Sequence, residues 1–149
     1  MTTNALARWH QLVKERDVAG LDSLLDEGVV FFSPVAHTPQ AGKGIATRYL
    51  AAAFHLFFNE TFRYVREVSG SHDAVLEFEV EIDSLAVNGV DMLTWNDAGQ
   101  LTAFKVMIRP LKAVNLVHQK MAAMLQADPP LAHAPTPQRR DQRTSETTP

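Results

Sequence analysis

The chain has 149 residues, 46% of them hydrophobic, with a formal net charge of −3 and no cysteine. One globular domain is expected at this length, and disulfides, thiolate nucleophiles and thiolate metal sites are excluded. Mild acidity without a basic cluster argues against nucleic acid or an anionic membrane surface as partner. The N-terminus lacks the charged start and apolar core of a secretory signal, so we expect a cytoplasmic protein.

The first half of the sequence has the spacing of helices. Leu6, Trp9, Leu12 and Val13 recur at helical intervals, with Thr2, Thr3 or Asn4 as the cap. Asp17 then predicts the start of a short second helix that buries Leu21, Leu24 and Leu25 and ends at Gly28. After a short strand, Val29 to Phe32, a third helix is predicted with an inward stripe of Ile45, Tyr49, Ala52, Ala53 and Leu56.

From Phe62 onward the period of the apolar residues changes to two, which is typical of strands. Strands are predicted over Phe62 to Val68, Ala74 to Asp83, Leu85 to Trp95 and Leu101 to Arg109, with a turn at 96–99 between the last two. Either Asp83-Ser84 or Asn88-Gly89 forms the preceding turn; in the first case Gly89 is a bulge in one long strand. Helices followed by a largely antiparallel sheet make an α+β fold.

A short closing helix is predicted after Pro110, from the spacing of Val114, Val117, Met121, Met124 and Leu125. The domain is therefore placed at residues 1–125. The rest, Gln126 to Pro149, holds five of the eight prolines and no aromatic residue, so it is predicted to be a disordered tail.

Asp91, within the segment GVDMLTW, is the residue most suggestive of chemistry. If Val87, Leu93 and Trp95 face the core, Asp91 faces it too, and burial of a carboxylate is unfavourable unless it is paired or protonated. One interpretation is a structural aspartate satisfied by a neighbouring hydroxyl or amide. The other is a pocket acid whose pKa is raised by desolvation.

Three other residues become candidates for a functional site only if they lie close to Asp91 in a cavity. Trp9 and Tyr49 each carry one polar atom on a predicted inward stripe, and His37 lies in the loop after the first strand, where it could carry a proton. Phe104, Val106 and Ile108 form core or pocket wall, while Lys105, Met107 and Arg109 share the outer face with Glu77, Glu79 and Glu81, for cross-strand ion pairs or a subunit contact. No phosphate loop, nucleophile elbow or histidine pair at metal-ligand spacing is present, so no metal or cofactor is expected.

The order of elements, with the segments FFSPVAHTPQAGKGIATRYLAAA and GVDMLTWNDAGQLTAFKVMI, resembles the nuclear-transport-factor-2-like superfamily, which includes ketosteroid isomerase, limonene-epoxide hydrolase and the SnoaL-like polyketide cyclases. The resemblance implies a cone: a curved antiparallel sheet packed against three N-terminal helices around an internal pocket, commonly as a homodimer. It also favours the turn at Asp83-Ser84.

By the resemblance, Asp91 stands at the position of the pocket aspartic acid of ketosteroid isomerase. That aspartic acid is a well-known example of a buried carboxylic acid that stays protonated and donates a hydrogen bond. Trp9 takes the place of the isomerase's donor tyrosine, and Tyr49 that of a wall aromatic. Ser33 stands where the isomerase has its general base, and Gly89 stands where the epoxide hydrolases have an arginine. The sequence therefore lacks one catalytic residue of each of these two enzymes. Among the members of the superfamily, the SnoaL-like cyclases, which use a pocket aspartate as acid, agree best with this sequence.

Two functions follow from this sequence. The first is binding, or cofactor-free isomerisation, cyclisation or hydration, of an apolar or polycyclic small molecule, with Asp91, His37 and Tyr49 as catalytic residues. Its ligand-binding wall is predicted to consist of Trp9, Phe78, Leu93, Phe104, Val106 and Ile108. The second is a non-catalytic dimeric interaction module whose cavity is filled by its own side chains. The size of the cavity distinguishes them.

Overall fold

The computed structural model describes residues 4–127, which form four helices and one six-stranded sheet. The helices are α1 (Ala5–Glu15), α2 (Leu21–Leu24), α3 (Lys43–Phe57) and α4 (Leu111–Ala127). The strands are β1 (Leu25–Phe32), β2 (Gln40–Ala41), β3 (Arg63–Ser69), β4 (Asp73–Ile82), β5 (Leu85–Trp95) and β6 (Leu101–Arg109).

The strands lie in the order β2-β1-β6-β5-β4-β3. All neighbours are antiparallel except β1 and β6, which are parallel, so the sheet is mixed. The predicted α+β cone with a curved sheet packed against helices is confirmed. No helix among residues 4–127 is both long and apolar enough to cross a membrane.

Asn4 is the residue that caps α1, because its side chain accepts a hydrogen bond from the Ala7 amide. The helix ends at Arg16, whose backbone is left-handed, and it buries Trp9 and Leu12. The predicted helix and its inward stripe are therefore correct.

The second predicted helix is wrong at both ends, because Gly20 and not Asp17 precedes it and it does not reach Gly28. It spans only Leu21–Leu24, and Leu25 already begins β1, where it pairs with Leu101 on β6. Gly28 lies inside the strand and does not end a helix. Leu25 and the segment Val30 to Phe32 pair with β6, so tertiary contacts override the local signal.

The inward face of α3 differs from the predicted stripe. Ala46, Leu50, Phe54 and Phe57 are buried together with Ala52 and Leu56, whereas Ile45 is 41% exposed. The helix packs against both β1 and α4. Contact on two sides buries a wider face than a single stripe defines.

The hairpin between β4 and β5 turns at Asp83-Ser84, as the resemblance implied. Both residues have positive φ, 50° and 65°, and Ile82 pairs with Leu85. Gly89 lies within β5 and pairs in unbroken register with Phe78 and Ile108, so the predicted bulge there is wrong. A Cβ on Gly89 would lie 2.5 Å from Phe78 Cζ and 2.6 Å from the Met107 carbonyl oxygen, so close packing explains this glycine.

Two of the three outer-face glutamates form ion pairs with β3. Glu79 lies 2.7 Å from Arg63 and Glu77 lies 3.3 Å from Arg66. The predicted ion pairs with Lys105 and Arg109 are not formed, because β5 separates β4 from β6. Lys105 instead lies with its ammonium 4.7 Å from the centre of the Phe32 ring.

The closing helix α4 is longer than predicted, and buries Ala113, Val117 and Met121. It reaches Ala127, two residues past the position predicted as the end of the domain. The remainder of the predicted tail, residues 128–149, lies outside the described residues.

Candidate functional site

Asp91 is the one buried polar or charged residue among residues 4–127, with 5% of its surface exposed. It lies in the middle of β5, between Leu76 of β4 and Val106 of β6. Alternation along the strand turns it to the helix-covered face together with Val87 and Leu93, as the sequence predicted.

Two aromatic side chains connect Asp91 to the first helix. Tyr64 of β3 donates its hydroxyl proton to Asp91 Oδ2 at 2.6 Å. The same hydroxyl oxygen accepts a hydrogen bond from Trp9 Nε1 at 3.0 Å. An indole N–H is only a donor and an ionised carboxylate only an acceptor, so the chain has one direction: Trp9 to Tyr64 to Asp91.

Burial changes the proton affinity of both acids. It raises the pKa of Asp91 from 3.8 to about 7, although the hydrogen bond from Tyr64 acts in the opposite direction. Burial, and then the neighbouring Asp91 charge, raise the pKa of Tyr64 well above 10. Near neutral pH Tyr64 therefore keeps its proton while Asp91 is present in both forms.

A small space adjoins Asp91. Its volume is about 20 Å³, and it is lined by Trp9, Leu50, Ala53, Phe57, Phe58, Phe62, Phe78, Asp91, Phe104 and Val106. Asp91 is the sole ionisable group in that lining. A space of this size holds about one water molecule, and its walls are mostly aromatic rings.

The structure brings together only some of the predicted site residues. Trp9, Phe78, Phe104 and Val106 line the space beside Asp91. Leu93 is fully buried in the core but does not line it, and Ile108 borders open clefts on the sheet surface.

The predicted polar partners of Asp91 lie elsewhere. Tyr49 packs its ring 6.0 Å from that of Phe31, away from the lining of the space. His37 is exposed and borders a separate surface cleft that also includes Ser33 and Lys105. The expectation that Tyr49 or His37 reaches Asp91 is therefore wrong.

Tyr64 is the functional candidate that sequence reasoning missed. It pairs with Phe78, so it shares the inward face of the sheet, and an aromatic residue with one polar atom at that position was the available signal. The register of β3 against β4 shifts between Tyr64 and Arg66. As a result Arg66, which by simple alternation would face inward like Tyr64, pairs with the outward-facing Glu77, and Glu67 pairs with the inward-facing Leu76.

His10 and Glu67 support Tyr64 from the surface side. Their side chains are 2.5 Å apart, from Nε2 to Oε1, and join α1 to β3. The His10 ring packs edge-on against the Tyr64 ring with 5.4 Å between centres. Within the described part of the chain no cluster of His, Asp or Glu side chains could hold a metal ion.

The fold is an α+β cone, and its candidate site is one buried acid at the end of a chain of aromatic hydrogen-bond donors. The sequence profile of the SnoaL-like domain family matches residues 6–104. The chain belongs to that family, and the predicted nuclear-transport-factor-2-like resemblance is confirmed. No curated protein sequence matches this chain significantly.

Two solved structures share about a third of their sequence with this chain. A steroid delta-isomerase from Pseudomonas aeruginosa is 34% identical, with 82% of this chain and 89% of that chain covered and a TM-score of 0.78. A protein with a cystatin-like fold from Silicibacter pomeroyi is 31% identical, with 83% and 86% covered and a TM-score of 0.77.

A more distant structure shows the same fold. The epoxide hydrolase/cyclase-like enzyme SalBIII, which takes part in pyran ring formation in the polyether salinomycin, is 17% identical. The match covers 70% of this chain and 88% of that chain, with a TM-score of 0.57.

Proposed function

We propose that this protein binds a small apolar molecule carrying one oxygen atom and moves a proton to or from it through Asp91. The observation that carries the proposal is the Tyr64–Asp91 pair, 2.6 Å apart, beside an aromatic-walled space. Burial raises the pKa of Asp91 to about 7, and proton transfer is most efficient when the pKa of the catalytic group lies near the working pH.

The chemistry that fits is isomerisation, cyclisation or hydration. Neutral Asp91 donates a hydrogen bond, and then a proton, to a carbonyl or ether oxygen; ionised Asp91 takes a proton back. Such reactions rearrange electrons within one molecule or add water, and they need no oxidant. Two of the similar structures, a steroid delta-isomerase and the epoxide hydrolase/cyclase-like enzyme SalBIII, belong to enzymes of the same chemical range.

Ser33 supports a single-acid mechanism. It stands where the resemblance places the isomerase's general base, but a serine hydroxyl does not take a proton from carbon at neutral pH. Its hydroxyl accepts a hydrogen bond from the Val35 amide, and the residue borders the cleft outside the cone. Asp91 must therefore serve as both donor and acceptor in this proposal, with Tyr64 and Trp9 holding its orientation.

A second candidate is the interaction module with a filled cavity. The observation that favours it is the volume of about 20 Å³, far below the 300–1,000 Å³ typical of a ligand pocket, as a rule of thumb. In this alternative Asp91 and Tyr64 only specify the packing of the core. The two candidates differ in whether any ligand reaches Asp91.

Binding measured by NMR separates them. A panel of cyclic ketones, epoxides and phenols is titrated into the protein, and turnover of each bound compound is followed. Ligand binding should shift the resonances of Tyr64 and Trp9, and Asp91→Asn should abolish turnover while Asp97→Asn, at an exposed carboxylate, keeps it. If no compound perturbs the resonances around Asp91, the filled module is the correct function.

We also propose a homodimer formed through the outer face of the sheet. Val68 and Val75 are paired across β3 and β4 on this face, and they are 62% and 38% exposed; Met107 on β6 is 52% exposed. Because Glu77 and Glu79 are already paired with arginines of β3, these apolar side chains would supply the contact. Met107→Glu should shift sedimentation from dimer to monomer, whereas wild-type monomer at micromolar concentration would refute it.

A further inference from the structure

The link between α3 and β3 carries two phenylalanines in the wall of the Asp91 space. Phe58 follows the last helical residue and Phe62 precedes the first strand residue, so neither belongs to a regular element. Their rings meet edge to face with 4.6 Å between centres, and both are only half-buried. All of the other lining residues lie in α1, α3 or the strands β4 to β6.

Polar contacts hold the backbone of the link without involving either ring. Asn59 Nδ2 donates to the Glu81 carbonyl at 2.8 Å, and the Glu81 amide donates to Thr61 Oγ1 at 2.8 Å. The link is therefore fastened to the end of β4 at Asn59 and Thr61. The Phe58 and Phe62 side chains can rotate without breaking these hydrogen bonds.

Phe62 also borders the outside. It lines an open cleft of about 790 Å³ formed by the ends of β3, β4, β5 and β6, in addition to the small space beside Asp91. On its inner side the Phe62 ring lies 5.0 Å from the ring of Tyr64 and 5.4 Å from that of Phe78, centre to centre. Phe62 is thus shared between the surface and the buried pair.

We propose that Phe62, with Phe58 behind it, is a removable plug, and that the cleft is the binding site for the trailing part of the ligand that enters past it. This inference rests on the proposed function, because a ligand of Asp91 cannot fit in about 20 Å³ unless a wall moves. Displacement of the Phe62 ring vacates the place of one six-membered ring between Phe78 and Tyr64. A flat ring of the ligand takes that place and presents its oxygen to Asp91.

The cleft defines the charge of the trailing group. Its lining residues include three glutamates, Glu60, Glu79 and Glu81, and two arginines, Arg63 and Arg109. Arg63 is already paired with Glu79. Glu60 and Glu81 together outnumber Arg109, so the cleft disfavours an anion. The ligand class is an elongated molecule with a flat ring, one leading oxygen and an uncharged or cationic tail.

Three phenols with different tails test the charge preference. Tyramine, 4-(2-hydroxyethyl)phenol and 4-hydroxyphenylacetate share the ring and oxygen but have a cationic, neutral and anionic tail. Affinity measured by NMR titration should fall in that order, with about a fivefold difference per charge, the size of one solvent-screened charge interaction. Glu81→Gln should reduce the advantage of tyramine. An equal or reversed order overturns the assignment of the cleft.

The rate of association tests the plug. Stopped-flow tryptophan fluorescence measures how fast the neutral phenol and toluene enter the wild-type protein, Phe62→Leu and Phe62→Ala. We expect at least about a tenfold faster rate in Phe62→Ala, an intermediate rate in Phe62→Leu, and no change in Phe32→Ala, a half-buried phenylalanine bordering the opposite cleft. The leucine variant preserves more packing and remains informative if the alanine variant does not fold.

Toluene separates the two hypotheses because it has no oxygen. If toluene enters Phe62→Ala faster than wild type but the phenols show no dependence on Asp91, the plug is correct and the proton-transfer function is not. If phenols bind beside Asp91 at rates unaffected by either Phe62 variant, the plug is refuted and the function stands. If no probe enters any variant, both are refuted.

Discussion

Replacing Asp91 with Asn converts the buried acid into a neutral side chain of almost the same shape, and the effect on stability should reverse with pH. Well below pH 3.8 the carboxyl group is neutral in both folded and unfolded chains, so burial of its charge costs nothing. As pH rises from 3.8 to about 7, the unfolded chain loses the proton first while the folded chain retains it. The free energy of unfolding therefore falls across this window.

The size of this loss follows from the pKa shift. At about 1.4 kcal/mol per pH unit, a rise from 3.8 to about 7 removes about 4 kcal/mol of stability once the pH exceeds 7. The asparagine side chain of Asp91→Asn does not titrate, but its amide introduces two N–H donors into a space lined mostly by apolar side chains, at a cost of about 1–3 kcal/mol. Tyr64 can still donate to the amide oxygen.

Urea unfolding of both proteins at several pH values between 4 and 9 measures the difference. We expect Asp91→Asn to be less stable than wild type by about 1–3 kcal/mol near pH 4 and more stable by a similar amount at pH 8, which is the sum of the two effects. Asp97→Asn, at an almost fully exposed carboxylate, should show no such reversal. A difference between wild type and Asp91→Asn that is independent of pH would refute the buried-acid reasoning.

Two further substitutions test the surroundings of Asp91. Tyr64→Phe removes the hydrogen bond that lowers the pKa of Asp91, so NMR titration should find that pKa above about 7. The free energy of unfolding should fall by about 1–3 kcal/mol because Trp9 Nε1 loses its acceptor. A fall in the pKa of Asp91 would contradict the chain of donors. Gly89→Ala places a methyl group against Phe78 and the Met107 carbonyl, and it should destabilise the protein by about 1–3 kcal/mol in urea unfolding. The control is Gly44→Ala in α3, where open space surrounds the glycine, and this substitution should be neutral or stabilising. Equal effects of the two glycine substitutions would show that the close approach at Gly89 relaxes.

Period-two alternation was sufficient to predict the strands and the direction of Asp91. The alternation of Leu76, Phe78 and Val80 with glutamates fixed which face of β4 is buried, and the same rule applied to β5 turned Asp91 inward. Helical spacing likewise predicted the burial of Trp9. These features depend on neighbours within one element, and the sequence contains all of that information.

The partner of Asp91 could not be obtained in the same way. Tyr64 and Asp91 are 27 residues apart and Trp9 is a further 55 residues before Tyr64, so their meeting depends on strand register and on where α1 crosses the sheet. The sequence predicted Tyr49 and His37 instead, and the structure places both outside the space beside Asp91. Likewise, pairing of Leu25 with β6 decided that Gly28 belongs to a strand.

The sequence by itself determined an α+β chain with an inward carboxylate, because burial pattern and turn chemistry act over a few residues. Only the tertiary structure decided that the carboxylate has a tyrosine donor, and that the space beside it, which Phe58 and Phe62 help to line, is only about 20 Å³. The volume of a cavity is the small remainder left after side chains from several elements have packed. No single segment encodes that remainder, since it depends on how all of those elements meet.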